Sequence, residues 1–275
     1  SIPSGIGCER CHGPGELHVQ QKMKGEIVDT SERADRTIVN PAKLETSLKN
    51  DVCQRCHLQG NTVTKPGKDF FDFKPGMKLS SVMSVFRPQF ESDDAFIMAS
   101  HSERLQQSTC FKQTRKQQNA EALNCITCHN PHKSVQSTEA DYFNSTCKDC
   151  HGGRNQQEAQ IQCSAPKQKR MSNDNNCVEC HMPKSGSVDI PHVSIHDHNI
   201  RVVDSQNKKQ EDVPSDMDAL TVNSLKSYNN KNPNTRTLTK AYLFYYEKFR
   251  SKPKFLDSAY HYLTQLPRAQ HQEEC

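Results

Sequence analysis

The chain has 275 residues, a formal net charge of +4 and only 33 % hydrophobic residues, with no Trp and 7 % aromatics. That length allows one large domain or two small ones, but the apolar share falls well short of the near-half of ordinary soluble domains. The 36 basic and 32 acidic residues are spread along the chain, which excludes a nucleic-acid footprint, and no apolar run is long enough for a membrane span.

Such a chain is either partly disordered or packed around something other than protein. Thirteen Cys and thirteen His favour the second. No secretory signal precedes Ser1, so the sequence is expected to be a mature form or a segment of a longer protein.

In chain order, Cys8-Glu-Arg-Cys11-His12 comes first, and the Gly13-Pro14-Gly15 turn brings His18 back across it. Cys53-Gln-Arg-Cys56-His57 repeats the pattern. The gap to residue 125 holds Phe70, Phe71, Phe73, Phe86 and Phe90 around a Pro75-Gly76 turn. These rings suit packing on a large flat group or a small local core. Residues 94–118 read as a helix, with Phe96, Ile97 and Leu105 near one face and His101 on it. Cys125-Ile-Thr-Cys128-His129 runs on through Asn130-Pro131 to His132. A helix expected over 137–151 ends in Cys147-Lys-Asp-Cys150-His151, and Cys177-Val-Glu-Cys180-His181 precedes His192, His196 and His198. Residues 203–235 are polar and read as a linker, with one helix after Pro214. Beyond it, Leu238, Ala241, Tyr242, Tyr245 and Phe249, then Phe255, Ala259, Tyr260 and Leu263, follow helical spacing on either side of Pro253, which predicts a helical hairpin over 236–275.

C-x-x-C-H is the attachment signature of c-type haem. On a helical turn, positions i, i+3 and i+4 share a face. Two thiols can then reach the two vinyl groups of one porphyrin, with the His beneath the same iron as proximal ligand. Zinc ribbons join C-x-x-C pairs into four-thiolate sets and need no His after each pair. A thioredoxin-like site needs a βαβ context that is absent, and a disulfide framework requires no His. All five pairs here carry the His. The expectation is five covalent haem c groups: Cys8, Cys11, Cys53, Cys56, Cys125, Cys128, Cys147, Cys150, Cys177 and Cys180 bind the macrocycles, and His12, His57, His129, His151 and His181 bind iron. The fold class follows as mostly α with extensive coil and little β-sheet, the polypeptide wrapping the haems that replace its missing core.

Eight His remain, and five suffice to give every iron a second imidazole. His18, His101, His132, His192 and His198 are the candidates. His132 is stiffened by Pro131, and His196 competes with its two neighbours. His261 and His271 lie beyond the motifs and read as surface residues. Met98 and Met182 are alternative ligands, but loop or core roles suit them better, since Met182 adjoins His181. Of the other cysteines, Cys110 and Cys163 form a natural disulfide pair in an oxidising compartment, with two free thiols as the alternative. Cys275 is free or cross-links to another chain.

The motif order resembles the bacterial multihaem cytochromes c that carry tetratricopeptide repeats after the haem domain. The matching stretches are Gly7 to Gly15, Cys53 to Gly60, Ser100-His101 with Cys110-Phe111, Cys125 to His132, Cys177 to Lys184, and Asp189 to His192 through Asp197-His198. They cover about residues 5–202. The resemblance implies a haem domain over 1–202, the linker, and a hairpin similar to one tetratricopeptide unit. It favours His198 over His196, and it gives Cys110 and Cys163 family positions. Members of that family usually have further haem motifs upstream and several repeats downstream. The short ends here therefore point to contact with another cytochrome chain or with copies of this one.

The function expected is electron transfer, outside the cytoplasm where such haems are attached, in the periplasm or extracellularly, with redox proteins as partners and no nucleic acid. An extracellular haem filament is an assembled form of the same reading. The rival is a multihaem enzyme acting on a nitrogen or sulfur compound at an open iron. No motif replaces its His by Lys, as some enzymes of that kind do, and the His supply is ample.

Overall fold

The computed structural model describes residues 5–91, 101–116, 122–151, 163–187, 190, 192–202 and 221–267. In chain order its helices are α1 (Glu9–His12), α2 (Glu16–Met23), α3 (Thr46–His57), α4 (His101–Gln107), α5 (Thr109–Thr114), α6 (Cys125–Cys128), α7 (Ala140–His151), α8 (Lys167–Met171), α9 (Cys177–His181), α10 (Thr235–Lys248) and α11 (Pro253–Leu263). Its strands are β1 (Asn61–Thr64), β2 (Met83–Phe90), β3 (Lys184–Ser185), β4 (Ile195–His196) and β5 (Val222–Ser227). The chain is mostly helix and coil with little sheet. It divides into two compact units, Ser1–Ser92 with Thr221–Cys275, and Asp93–Leu220.

The first unit is built on a three-stranded antiparallel sheet in the order β1-β2-β5. In β1 the alternation of strand side chains sends Asn61 and Val63 inward and Thr62 and Thr64 out. Central β2 pairs Phe86 with both Asn61 and Ser227. The α10–α11 hairpin covers the sheet. Asn234 caps α10 by accepting from the Thr237 amide, and Pro253 opens α11 with its preset φ. The apolar stripe of the hairpin (Ala241, Tyr242, Tyr245, Phe255, Ala259) meets Val63, Phe86, Val222 and Leu225 in one core. Asn61 Nδ2 donates to Ala241 O at 2.5 Å, and the Leu225 amide donates to Tyr242 Oη at 3.2 Å. A second cluster of Leu58, Phe73, Leu79, Val82, Met83 and Val85 lies under α3 and β2.

Two readings are corrected here. Part of the polar stretch 203–235 is strand β5. Val222 and Leu225 are three residues apart, a spacing no regular strand puts on one face. A register shift between Gln89 and Phe90 of β2 brings both inward. The sequence therefore showed no strand period there. Also, the described part of the 94–118 helix is two helices. Ser108 adopts extended backbone and its Oγ accepts from the Phe111 amide, which ends α4 and caps α5. Phe96, Ile97 and Met98, the helix expected after Pro214, and His271 with Cys275 lie outside the described residues.

The second unit is a set of short helices with the small β3–β4 pair, Lys184 opposite His196. Asn side chains start two of the motif helices. Asn124 caps α6 in a reciprocal arrangement with Thr127, and Asn176 caps α9. Buried Asn144 of α7 accepts from the Cys177 amide at 2.9 Å, which ties the fourth motif's helix to the fifth.

Candidate haem-binding centres

Each motif is set on or beside a helical turn, so its two thiols and imidazole are presented together. In the first unit, motif one occupies α1 and motif two ends α3. Their thiols are neighbours: burial, and then Cys53 and Cys56, push the Cys11 thiol up. In the second unit the last three motifs gather. Burial pushes the Cys147 thiol up to about 12, reinforced by Cys177 and Cys128, and Cys128 is itself raised by burial, with Cys110 and Cys150 alongside.

Two of the motif imidazoles are held by the same device. His12 shares its Nδ1 hydrogen bond with Val39 O at 2.8 Å, and the Val39 amide donates back to His12 O at 3.0 Å. His181 does the same with Arg201, 3.0 Å from Nδ1 to O and 3.1 Å back from the amide. A carbonyl only accepts, so Nδ1 carries the proton and Nε2 keeps its lone pair for a metal. Of the other histidines, His18 Nδ1 lies 2.9 Å from Thr37 Oγ1, whose hydroxyl donates to Asp35. His198 Nδ1 bonds His196 O at 3.0 Å, and His196 Nδ1 bonds Met182 O at 2.8 Å. These imidazoles present Nε2 in the same way.

The second unit brings three predicted ligands together. The His198 ring lies 4.4 Å from that of His101 and 6.1 Å, nearly parallel, from that of His129. Burial, and then the charges of His101 and His129, push His198 down to about 4, so it is a neutral imidazole at pH 7, the form that ligates. His196 instead faces the chain after the fifth motif. His132 and His192 are exposed on loops, His192 with φ 61°. His57 and His151 are exposed at their helix ends, and His261 is exposed on α11.

The expected Cys110–Cys163 disulfide is not formed. Cys110 is half-buried, near Cys128 and Cys150, and Cys163 is exposed. Burial and surrounding motif thiols, not a bridge, define the setting of Cys110.

Sequence reasoning missed the groups that support the imidazoles. Arg104 Nε and Nη2 donate to the two oxygens of Asp197 at 2.8 and 2.6 Å, and Arg201 Nη1 donates to the same carboxylate at 2.7 Å. Burial alone would raise the Asp197 carboxyl, but the Arg104 hydrogen bonds, the Asn199 amide and the two guanidinium charges outweigh it and hold it low. Arg104 lies three residues beyond His101 on α4, and Asp197 adjoins His198, so this pair joins the elements that carry the two rings. In the first unit, Arg10 and Arg55 fill the same place in their motifs, just before the second Cys. Arg10 lies 4.9 Å over Phe71, and Arg55 lies 4.8 Å over Phe70. The shared Arg-Cys-His triplet was the available signal.

The donor chemistry fits c-type haem: paired thiols for covalent attachment, imidazoles with Nε2 available, and guanidinium groups beside the motifs. No protein-family model and no solved structure matches the chain. It is similar, at 24 % identity over 151 residues, to "Multiheme cytochrome MtrA" from Shewanella baltica (strain OS185). The aligned part is 54 % of this chain and 43 % of that protein, so the chain spans less than half the length of that curated relative.

Proposed function

We propose that this chain is a multihaem electron-transfer protein carrying five c-type haems, one on each Cys-x-x-Cys-His motif, with imidazoles on both faces of each iron. The observation that carries this reading is the five-of-five motif set, with Nδ1 of His12 and of His181 pinned to a backbone carbonyl so that Nε2 remains for a metal. The distant likeness to a multihaem cytochrome supports it. When bound, haem supplies a one-electron couple. The chain's share is to hold each macrocycle by two thioethers, to fix its axial imidazoles and to keep neighbouring sites close. The proximity of Cys11 to the second motif and of Cys147 to Cys177 supports close spacing.

The distal imidazoles proposed are His18, His101, His132, His192 and His198. The compartment is the periplasm or the cell exterior, and the partners are redox proteins. Ile6, Leu17, Val19, Met23 and Ile27, all exposed around the first motif, support association there with another cytochrome chain or a second copy. Intact mass of the mature chain tests the reading: five haem masses above the apo value are expected, and four or fewer would refute the five-haem count.

A further inference from the structure

Arg55 is a buried cation with no carboxylate paired to it among the described residues. It is 7 % exposed, its Nη2 donates to Phe70 O at 3.3 Å, and its Nε has no hydrogen-bond partner. No acidic side chain among the described residues pairs with it. A second guanidinium, Arg10 of the first motif, is close enough for its charge to act on Arg55. The two stack on Phe71 and Phe70, whose rings meet edge to face at 5.7 Å, and Phe73 lies 5.7 Å from Arg55 on another side. Ring faces offset part of the cost of a buried guanidinium but do not neutralise it. A buried charge is ordinarily paired, and the planar fork of Arg suits a carboxylate.

We propose that Arg55, with Arg10 beside it, forms a carboxylate site at the junction of the first two motifs, and that its occupant is a propionate of a haem held there. This rests on the reading of the motifs as haem sites. Haem is the carboxylate carrier that the adjacent Cys8, Cys11, Cys53 and Cys56 would fix in place. The Phe70–Phe71 pair then positions both guanidinium groups, and so helps to set how the two macrocycles lie.

The test uses the full haem-loaded chain with Arg55→Gln and Arg55→Lys. Intact mass gives the haem count, resonance Raman gives the propionate-bending bands, and spectroelectrochemistry gives the midpoint potentials at fixed pH and ionic strength. With five haems retained, Arg55→Gln is expected to shift a propionate band and to move one haem to lower potential, because a lost positive charge favours the ferric state. Arg55→Lys should recover part of both changes. If Arg55→Gln does not mature, Arg55→Lys and Arg10→Gln must show smaller shifts in the same directions. Five haems with wild-type bands and potentials in the Gln variant would overturn the proposal alone. So would a wild-type potential that shifts saturably with added acetate or phosphate, and loses that response in the variant, since the occupant would then be a free anion from solution. A wild-type mass without haem would sink the underlying reading and the proposal with it.

Discussion

The Arg104 guanidinium grips the Asp197 carboxylate with both arms of its fork, Nε at 2.8 Å and Nη2 at 2.6 Å, and the two side chains are only 3 % and 2 % exposed. The residues are 93 positions apart in sequence. The pair therefore fastens α4 to the segment after β4, and with them His101 to His198. Breaking a buried pair of this kind costs up to about 3–5 kcal/mol, and Arg104→Met should cost less than Asp197→Leu because Arg201 still donates to the Asp197 carboxylate. Arg104→Met and Asp197→Leu should each lower the denaturation midpoint of the haem-loaded chain, and the double variant should lose less than the sum of the two. Additive losses would show that the two groups act independently.

Phe255 is 1 % exposed and packs edge to face on Tyr245 at 4.9 Å, in the core where the hairpin meets the sheet. Phe255→Ala removes that ring and leaves a cavity, so the first unit should lose about 3–5 kcal/mol. Chemical denaturation followed through the far-ultraviolet helix signal would measure it. A loss well under 1 kcal/mol would mean that the hairpin does not depend on this core.

Gly60 enters β1 where a Cβ would lie 2.6 Å from Phe86 O and 2.9 Å from Val85 Cγ1. The first clash is with backbone in the central strand, which cannot rotate away. Gly60→Ala should cost about 1–3 kcal/mol by overpacking, measured as a lowered melting temperature. An unchanged melting temperature would show that the β1 entry shifts freely.

Asp51 accepts from the Leu79 amide at 3.0 Å, and its burial pushes the carboxyl up from its usual range despite that bond and Lys78. A carboxyl whose folded pKa lies above its unfolded one favours the folded state while protonated. That contribution is lost as pH rises from the unfolded towards the folded pKa. Asp51→Asn keeps an acceptor for the Leu79 amide and removes the charge. At neutral pH it should raise stability slightly, by less than about 1 kcal/mol because the group is partly solvated, and the gain should vanish in acid. A melting temperature that falls at neutral pH and not in acid would reverse the sign.

The features legible in the sequence are local ones. Each Cys-x-x-Cys-His motif is contained in five consecutive residues, so all five could be read directly. The hairpin was visible because its apolar residues keep helical period on both sides of Pro253. Strand β5 was not, since Val222 and Leu225 share a face only through the register shift opposite them in β2. The break at Ser108 was not legible, because nothing in the sequence states that its hydroxyl will cap a new helix by accepting from the Phe111 amide. What could not be read depends on distant chain. Val39 meets His12 across 27 residues, Arg201 meets His181 across 20, and Asp197 meets Arg104 across 93. No pattern near a histidine states which carbonyl will hold its Nδ1. The spacing of Cys110 and Cys163 likewise carried no information on whether they would meet.

The ferric electronic spectrum of the mature chain, followed by carbon monoxide binding to the reduced form, tests the electron-transfer reading most directly. If every iron has imidazole on both faces, the wild type shows only low-spin haem and takes up carbon monoxide poorly. His198→Ala should then open one iron, adding a high-spin component and fast carbon monoxide binding, while the other haems stay low-spin on their own motifs. A high-spin haem in the wild type, with fast ligand binding, would contradict the account and point to chemistry at an open iron.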